Sequence, residues 1–560
     1  MAQKLMTPGV YIEEVNAFPG SVVEVATAIP AFIGYTEKAS RNGKSLVNQP
    51  VRITSISEYL LLFGGAFSPK FTLDKVADGK QGKNEVSING ATKDINFVKD
   101  HDAYMFPAIQ LFFNNGGGAC YIVAVGTYGG ADKVVEVKKD ELEGGISTLL
   151  KEQEPTMVVI PDAVKLGDDC YDVYKKVLAH CSKMQSRVGI LDIYDGDQSR
   201  IVGDASVDII TKFREKIGTE NLSYAAAYYP WLNTNIVQKG DITFENLDAS
   251  VELKSLLPEA GAQSLIAGYP ADENAFKEAL IKDKPDDLAA ALSSDNPEGV
   301  ESAVTEGKLA DGFNADALTA LQEKGGLVAT QSLLQNYVAN KKRNFHLGLM
   351  ATSPTYASLL DEIRGVMNVL PPSGAMAGIY TMVDNSRGVW KSPANVSLNS
   401  VVKPAANITH DEQENLNVDA ISGKSINAIR TFPGVGTLVW GGRTLDGNSL
   451  DWRYINVRRT MMMLEQSIKL ALRSYVFEPN DANTWVTVKS MIVNFLTEKW
   501  KQGALAGASP EDAFDVQVGL GTTMTSIDIL EGKMLVTVKL AIVRPAEFIV
   551  VTFEQQMQKS

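Results

Sequence analysis

Cysteine is scarce in this chain, with three residues (Cys120, Cys170 and Cys181) in a length of 560. With no C-x-x-C pair among them, the sequence excludes a disulfide framework and a zinc knuckle of paired cysteines. His180 and Cys181 together with Cys170 suggest a metal cluster, but Cys181 falls on the apolar face of a predicted helix and is interpreted as a small buried hydrophobe. Such scarcity is typical of assembly in a reducing cytoplasm.

Long hydrophobic runs and an excess of positive charge are also lacking. No stretch approaches the roughly 18 apolar residues of a membrane span, and the N-terminus has one Lys and no apolar core of a secretory signal. The formal net charge of −14 argues against a nucleic-acid binder, which would need a basic face. We therefore expect a protein made inside the cell, without a signal peptide, that neither inserts into a membrane nor binds nucleic acid.

What the chain does have is strand-forming sequence at both ends. Ala546-Glu-Phe-Ile-Val-Val-Thr-Phe553 combines β-branched and aromatic residues, and Pro8-Gly9-Val10-Tyr11-Ile12-Glu13-Glu14-Val15 shows the same habit. Chain ends usually fray, and an unpaired apolar strand is an aggregation hazard. The two ends therefore predict a subunit that pairs strands with its neighbours.

The middle of the chain alternates between strand and helix patterns. At 560 residues the chain is too long for one core and should form about three or four domains. Between residues 155 and 269 we predict a doubly wound α/β unit. Its predicted elements are strands at Met157–Ile160, Val188–Ile193 and Tyr224–Tyr228, with helices at Asp168–Met184 and Ala205–Ile217.

Other segments differ from this pattern. Ser21–Tyr35 is predicted to be mostly extended, and the polar segment 70–102 is predicted to be a loop or surface hairpin. Residues 284–324 hold nine Asp/Glu against three Lys, which indicates an exposed helical insertion. Structure is expected to resume with a strand at Arg343–Met350.

The C-terminal region has clear helix and strand signals. Asp451–Tyr475 is predicted as an amphipathic helix, and Pro479-Asn480-Asp481 begins the next one. Gly503 occupies the position expected after that helix. Strands are predicted at Phe514–Val518 and Met534–Val543.

Two segments resemble part of a phosphate-binding loop but lack its first glycine. Gly43-Lys44-Ser45 and Gly423-Lys424-Ser425 match the end of the motif, while Lys38 and Val418 stand at the first Gly position. Gly434-Val435-Gly436 lacks the third glycine of a dinucleotide site and is interpreted as a turn. We expect no cofactor.

Three aspartates end predicted parallel strands, where α/β enzymes place catalytic groups: Asp162, Asp192 and Asp195. The alternative interpretation is turn chemistry, which also favours Asp.

The predicted helix 451–475 is basic within an acidic protein. Arg458, Arg459, Lys469 and Arg473 stand against Glu465. This pattern is consistent either with a solvated helix face or with contact to an acidic partner surface.

An ordered series of motifs runs through the C-terminal half. Together with the Pro8–Glu14 segment, the series resembles the contractile tail sheath proteins of phages and phage-tail-like injection systems. The resemblance covers the N-terminal arm and about 345–553, and the order is more specific than any single motif. The motifs are Gly388-Val-Trp-Lys-Ser-Pro-Ala-Asn395, Leu416-Asn417, Ile426-Asn-Ala-Ile-Arg430, Phe432-Pro-Gly-Val-Gly436, Val439-Trp-Gly-Gly-Arg-Thr-Leu445, Trp452-Arg-Tyr-Ile-Asn-Val-Arg-Arg459, Val476-Phe-Glu-Pro-Asn480, Gly503-Ala-Leu505 and Arg544-Pro-Ala-Glu-Phe548.

The resemblance implies a multidomain sheath subunit of the α/β plus α+β class. Its parts are a subtilisin-like doubly wound α/β middle domain, a mixed α+β C-terminal core domain and extended strand arms at both ends. Pro372–Gly378 echoes the Ser-Met-Ala segment of the protease with Ala375 in the nucleophile's place, so proteolysis is not expected. The expected parts are arm 1–20, region 21–130, α/β domain 131–345 with the acidic insertion on its outer surface, core domain 346–545 and arm 546–560.

The same resemblance implies that copies stack as hexameric rings around an inner tube and contract to drive it through a target envelope. The implied partners are neighbouring sheath subunits, the inner tube protein, and baseplate and terminal cap proteins. Arg458, Arg459, Lys469 and Arg473 are predicted to contact the tube. Strand exchange between subunits is predicted at Val10, Tyr11, Ile12, Val15, Phe548, Ile549, Val550, Val551 and Phe553.

No catalytic, cofactor-binding or metal residue is expected in such a subunit. It would be assembled in the cytoplasm as part of a phage tail or of an extracellular, released contractile particle. Two alternatives stay open at this point. One is an α/β hydrolase that uses Asp162 or Asp192, and the other is a non-contracting tube or capsid protein.

Overall fold

A computed structural model describes residues 22–76, 82–128, 134–202, 207–295, 304–305, 308–309, 314–316, 318–319, 328–419 and 421–552. The chain divides into two compact units. The first unit comprises Met1–Phe67, Ala103–Ile236 and Asn368–Ser560, and the second comprises Ser68–Asp102 and Val237–Met367.

Helices and strands are both abundant in the described residues, so the fold is a mixed α/β one. The helices are α1 Ile56–Phe63, α2 Met105–Asn114, α3 Lys139–Thr148, α4 Cys170–Met184, α5 Ile209–Lys216, α6 Leu253–Leu256, α7 Ala260–Ala267, α8 Glu273–Asp283, α9 Pro285–Asp295, α10 Val328–Thr352, α11 Pro354–Met367, α12 Ser373–Arg387, α13 His410–Asn417, α14 Ile455–Leu472, α15 Ala482–Lys501, α16 Pro510–Ala513 and α17 Ser526–Leu530. The strands are β1 Pro30–Thr36, β2 Ser40–Arg41, β3 Lys44–Ser45, β4 Val51–Ile53, β5 Phe71–Lys75, β6 Glu85–Ile88, β7 Ala91–Phe97, β8 Cys120–Thr127, β9 Met157–Val159, β10 Val188–Asp192, β11 Ala225–Tyr229, β12 Leu232–Thr234, β13 Val304–Thr305, β14 Lys308–Leu309, β15 Val369–Leu370, β16 Val396–Ser397, β17 Val401–Pro404, β18 Asn427–Phe432, β19 Gly436–Val439, β20 Phe514–Val518 and β21 Val536–Leu540.

A nine-stranded sheet forms the centre of the first unit. Its order is β16-β19-β18-β11-β10-β9-β1-β8-β4. The six strands from β18 to β8 are parallel, and antiparallel strands close both edges. Parallel strands of this kind are covered by helices on both faces and are hydrophobic throughout.

Alternate residues of β1 enter two different cores. Ala31 and Ile33 pack in one cluster with Val177 of α4, while Phe32 packs in the other with Met376 of α12. Because side chains alternate across a strand with a period of two, a buried central strand must be apolar on both sides. This explains why PAFIGYT is buried at every position.

The predicted α/β pattern is confirmed from Met157 to Tyr229. The remainder of the predicted unit 155–269, from Val237 onward, belongs to the second compact unit and contributes no strand to the large sheet. The sheet also includes strands from outside the predicted range. β1 and β8 come from the predicted region 21–130, and β18 comes from the predicted core domain 346–545. Periodicity identifies a strand but contains no information on which distant strand it pairs with. The sheet therefore crosses both predicted boundaries.

The second unit contains a three-stranded antiparallel sheet of order β5-β7-β6. β6 and β7 form a tight hairpin in which Asn89 and Gly90 have φ of 53° and 75°. Two left-handed residues in sequence are what a type I′ turn requires, and Asn-Gly is its preferred pair. The described residues of the segment 70–102 thus confirm the hairpin alternative and add β5 as a third strand.

The second unit also contains helices α6 to α11 and the two-stranded sheet β13–β14. The predicted strand Arg343–Met350 is wrong, because these residues lie within α10. Phe345 and Leu349 are both buried, and their spacing of four places them on one helix face, a pattern that a short apolar run leaves ambiguous. In the acidic segment 284–324, the described α9 confirms a helix at Pro285–Asp295.

None of the described helices is both long enough and apolar enough to cross a lipid bilayer.

Candidate functional site

The C-terminal arm exposes a run of large apolar side chains. Residues 546–552 form no strand within the single chain. Most soluble proteins scatter exposed apolar residues singly, so a contiguous run is typical of an interaction surface. Phe553 lies outside the described residues. The exposed fractions are 71% for Phe548, 80% for Ile549, 89% for Val550 and 65% for Val551.

A small sheet with open edges precedes this arm. β20 and β21 pair with each other in an antiparallel register from Phe514↔Leu540 to Val518↔Val536, and each has one neighbour among the described strands. One face of β21 packs on α15, whose Val488 belongs to the same cluster. A two-stranded sheet is marginal by itself, and its free edges can accept further strands.

The helix beneath this sheet has the predicted ends. Asp481 is the N-cap of α15, and its side chain accepts a hydrogen bond from the Thr484 N–H at 3.0 Å. Gly503, two residues beyond the last helical residue, has φ of 87°, a conformation that favours glycine after a helix. Both signals predicted from the sequence are therefore confirmed.

Glu547 marks the point where the arm leaves the protein. The Arg443 Nε donates to its Oε1 at 3.0 Å and Nη2 donates to Oε2 at 2.6 Å. Asn417 Nδ2 donates to Oε1 at 2.8 Å and the Tyr454 hydroxyl to Oε2 at 3.0 Å. These bonds lower the pKa of Glu547 against the opposing effect of burial. We call this set of residues the Glu547 clamp.

Sequence reasoning did not identify the Glu547 clamp, although a signal was present. Asn417, Arg443, Tyr454 and Glu547 each stand within one of the motifs that carry the family resemblance. Four motifs far apart in the chain therefore converge on one carboxylate. The spacing of these residues along the chain does not reveal this contact.

The described N-terminal segment from residue 22 is held by backbone hydrogen bonds. The Ser467 Oγ accepts from the Val25 N–H at 3.1 Å, and the Arg459 Nη2 donates to the Thr27 carbonyl at 2.9 Å. Both partners belong to α14. The predicted strand-exchange residues further upstream lie outside the described residues: Val10, Tyr11, Ile12 and Val15.

Ion pairs also hold the described N-terminal segment and the helix α14 that binds it. Lys499 of α15 forms a salt bridge with Glu24. Arg459 forms a two-pronged pair with Asp384 at 2.9 and 2.5 Å, and both side chains are buried. A buried pair of this kind is strongly destabilised when one member is removed, because the other charge is left without a partner.

The structure divides the four basic residues predicted to contact a tube. Lys469 and Arg473 are exposed, whereas Arg458 and Arg459 are buried. The Arg458 guanidinium stacks 3.9 Å from the Tyr224 ring centre, and its pKa is lowered by burial. The interpretation of a solvated basic face is therefore wrong for Arg458 and Arg459.

The aspartates considered as catalytic groups make structural contacts. Asp162 accepts hydrogen bonds from the backbone N–H groups of Tyr35 and Tyr104 at 3.0 and 2.7 Å. Asp192 accepts from the Ser373 N–H at 2.8 Å and from its hydroxyl at 2.5 Å. Burial raises the pKa of Asp192 to about 7. These bonds join β1 to α2 and β10 to α12, and they leave both carboxylates buried.

The remaining polar candidates also have local roles. Asp195 has φ of 54° in the turn after β10, as expected for turn chemistry. Cys120, Cys170 and Cys181 are buried, and burial raises the pKa of each thiol. Burial lowers the pKa of His180 to about 4. Among the described residues, no group of three His, Cys, Asp or Glu is placed to hold a metal ion.

Known proteins match parts of this chain. Residues 448–556 match the model of the phage tail sheath C-terminal domain. The tail sheath protein of Salmonella phage ViI is 26% identical over 153 residues, which are 27% of this chain and 24% of that protein. The tail sheath protein of Vibrio phage KVP40 is 29% identical over 128 residues, 23% of this chain and 19% of that protein. The matches thus span about a quarter or less of these relatives.

Solved structures match along the whole chain. The sheath complex of the extracellular contractile injection system PVC, in the contracted state, is 25% identical with a TM-score of 0.55 and 99% of each chain covered. The contracted helical sheath of the anti-feeding prophage is 26% identical with a TM-score of 0.54, covering 99% of this chain and 100% of that one. The predicted resemblance to contractile tail sheath proteins is confirmed. The chain is thus similar to sheath proteins in its C-terminal region and, in its fold, to sheath subunits of contractile injection systems.

Proposed function

We propose that this chain, given its resemblance to contractile tail sheath proteins, polymerises as stacked hexameric rings around an inner tube and contracts to drive that tube through a target envelope. The observation that carries the proposal is the exposed strand-forming arm beside the open-edged β20–β21 sheet. Donor and acceptor lie on one chain, and both fall within the matched residues 448–556. Subunits that give and receive a strand in this way form an extended lattice.

Strand exchange follows from the physical chemistry of the arm. Four exposed apolar side chains from Phe548 to Val551 gain about 1.5–3 kcal/mol each when they are buried, before the entropy of ordering the arm is subtracted. Main-chain hydrogen bonds to a free sheet edge add specificity in register. A neighbouring copy offers such an edge at β20 and β21. We propose that the N-terminal segment containing Val10–Val15 joins the same sheet.

Contraction is proposed to follow from repacking of the cores while the arms keep copies linked. The extended sheath would be a metastable state held by assembly on the tube and baseplate. A gain of a few kcal/mol per subunit, summed over many copies, drives an irreversible stroke without a nucleotide. Within this proposal, the cap and baseplate close the two ends, assembly occurs in the cytoplasm, and the middle of the chain is subtilisin-like.

Of the four basic residues predicted to contact the tube, only the two exposed ones are kept in this proposal. Lys469 and Arg473 are free to meet an acidic surface, while Arg458 and Arg459 serve the interior of the subunit. Charge reversal of Lys469 and Arg473 should prevent co-sedimentation with tubes of the inner protein and leave the folded chain intact. Unchanged co-sedimentation would place the contact elsewhere.

Two truncations test the central claim by electron microscopy of the expressed chain. Removal of 546–560 eliminates the apolar arm and should abolish long tubular assemblies while leaving a folded subunit. Removal of 554–560 eliminates only the polar end and should leave ridged hollow tubes of normal width. Normal tubes from the longer truncation, or smooth tubes from the intact chain, would contradict the proposal.

A further inference from the structure

A cavity of about 490 Å³ lies within the first unit. Its walls come from α14, from the chain just before β1 and from the loops that lead into β9 and β10. Sites for small organic ligands are concave and typically measure about 300–1,000 Å³. The cavity is therefore of a size that one small organic molecule can occupy.

The walls of the cavity are mostly apolar. α14 contributes one helix face, because its wall residues between Arg459 and Ala471 recur at spacings of three, four and seven. Two of them are methionines, whose unbranched and flexible side chains adapt to ligands of different shape. An apolar body of a ligand would be buried favourably against this face. The apolar wall residues are Val25, Val389, Met462, Met463, Leu470 and Ala471.

Uncharged polar side chains line another part of the cavity. They are Gln153, Ser186 and Gln466. The Gln466 Nε2 donates to the carbonyl of Gln185 at 3.3 Å, which leaves its Oε1 able to accept from a ligand. The side chains of Gln153 and Ser186 form no hydrogen bond to another described residue. The cavity thus combines an apolar face with hydrogen-bonding groups that a ligand can use.

The charged residues that border the cavity already have partners within the subunit. A charged ligand buried here would therefore lack a free counter-charge, and burial of an unpaired charge is costly. An uncharged ligand has no such cost. The ion pairs are Arg459–Asp384, Glu24–Lys499 and Glu154–Arg52.

We propose that this cavity binds an uncharged amphipathic small molecule, with its apolar body against α14 and one polar end at Gln153, Ser186 and Gln466. Because such a molecule binds the folded chain, it should stabilise the subunit against unfolding. The site does not depend on the proposed assembly, since every wall belongs to a single chain.

Two matched fluorescent probes test the site in the isolated full-length chain. N-phenyl-1-naphthylamine is uncharged and has an aromatic body with one N–H donor. 8-Anilinonaphthalene-1-sulfonate has the same framework and adds a sulfonate. The uncharged probe should bind saturably with increased fluorescence. The sulfonate should bind this site about tenfold more weakly or less, because its charge finds no free partner there.

Substitutions assign the binding to the cavity. Ala471→Phe places an aromatic ring in the cavity and should raise the Kd of the uncharged probe about tenfold or more. Ala482→Phe is the matched control, because Ala482 is exposed at the start of α15 and is not a wall residue; it should leave the Kd unchanged. Val23→Phe narrows the cavity from a wall position that is 71% exposed, so it should weaken binding without loss of folding.

Thermal unfolding with and without the uncharged probe gives an independent measurement. The probe should raise the Tm of the parent chain and of Ala482→Phe, and it should not raise the Tm of Ala471→Phe. Undiminished binding in both Ala471→Phe and Val23→Phe would overturn the site. Equally strong binding of the sulfonate that is lost in Ala471→Phe would overturn the preference for an uncharged ligand. None of these measurements requires tubes, so a failure of the proposed function would leave the result standing.

Discussion

The two sheets of the first unit differ in how completely the single chain covers them. The nine-stranded sheet has helices on both faces and antiparallel strands at both edges, and β10 is buried at every position. The β20–β21 sheet has one covered face, and β21 alternates between half-buried and exposed residues. The first sheet is complete within one subunit, whereas we propose that strands from other chains complete the second. Substitutions in the first sheet should lower the free energy of unfolding, and substitutions around the second should reduce the assembly of subunits into tubes.

The largest loss of stability is expected from the buried ion pair beside the large sheet. Asp384→Ala leaves the Arg459 cation buried without its partner, which should lower the free energy of unfolding by about 3–5 kcal/mol. Urea denaturation of the purified chain measures this loss. The exposed Lys469→Ala on the same helix as Arg459 is the control and should change stability by less than about 0.5 kcal/mol. Equal stability of the two variants would contradict the structural role of the pair.

One substitution by alanine in each sheet tests the difference between them directly. Ile190→Ala, in buried β10, creates a cavity and should cost about 2–5 kcal/mol of unfolding free energy. Val538→Ala, in half-buried β21, should cost less because part of its surface already meets solvent. Among folded subunits, Val538→Ala should reduce the yield of tubes more than Ile190→Ala does. A greater loss of stability from Val538→Ala would refute the difference between the two sheets.

Asp192 adds a pH dependence to the large sheet. Its pKa is raised to about 7 by burial, so the folded state binds a proton that the unfolded state releases near the ordinary pKa of 3.8. The stabilising contribution is therefore fully present at low pH and is lost as the pH rises through about 7. The stability of Asp192→Asn relative to the parent chain should increase from pH 4 to pH 7. A stability difference between Asp192→Asn and the parent chain that does not change with pH would contradict a role for Asp192 titration.

The smallest effect on the single subunit is expected in the arm. Val550→Asp changes a side chain that is 89% exposed, so the free energy of unfolding should change by less than about 0.5 kcal/mol. Tube formation should nevertheless be lost, because the charge would have to be buried in the recipient sheet. Val550→Ile is the matched control and should form tubes. Normal tubes from Val550→Asp would show that the arm is not part of the interface between subunits.

Sequence reasoning performed best where a local signal decides the structure. The Asp481 cap, Gly503 after the helix and β20 at Phe514–Val518 were all predicted, because caps and short periods are properties of neighbouring residues. It performed less well where distant residues decide. Arg343–Met350 was predicted as a strand, although partners elsewhere in the second unit cover one face of a helix there. Arg459 was assigned to the surface, although Asp384 provides a buried partner for its charge.

What the sequence by itself determined is the set of elements, the apolar ends and, through an ordered motif series, the resemblance to contractile tail sheath proteins. Only the tertiary structure decided which strands share a sheet, which arginines are buried and where the arm becomes free. The physical reason is that pairing, burial and charge compensation depend on groups far apart in the chain. The Glu547 clamp illustrates this, since Asn417, Arg443 and Tyr454 meet one carboxylate only after the chain has folded.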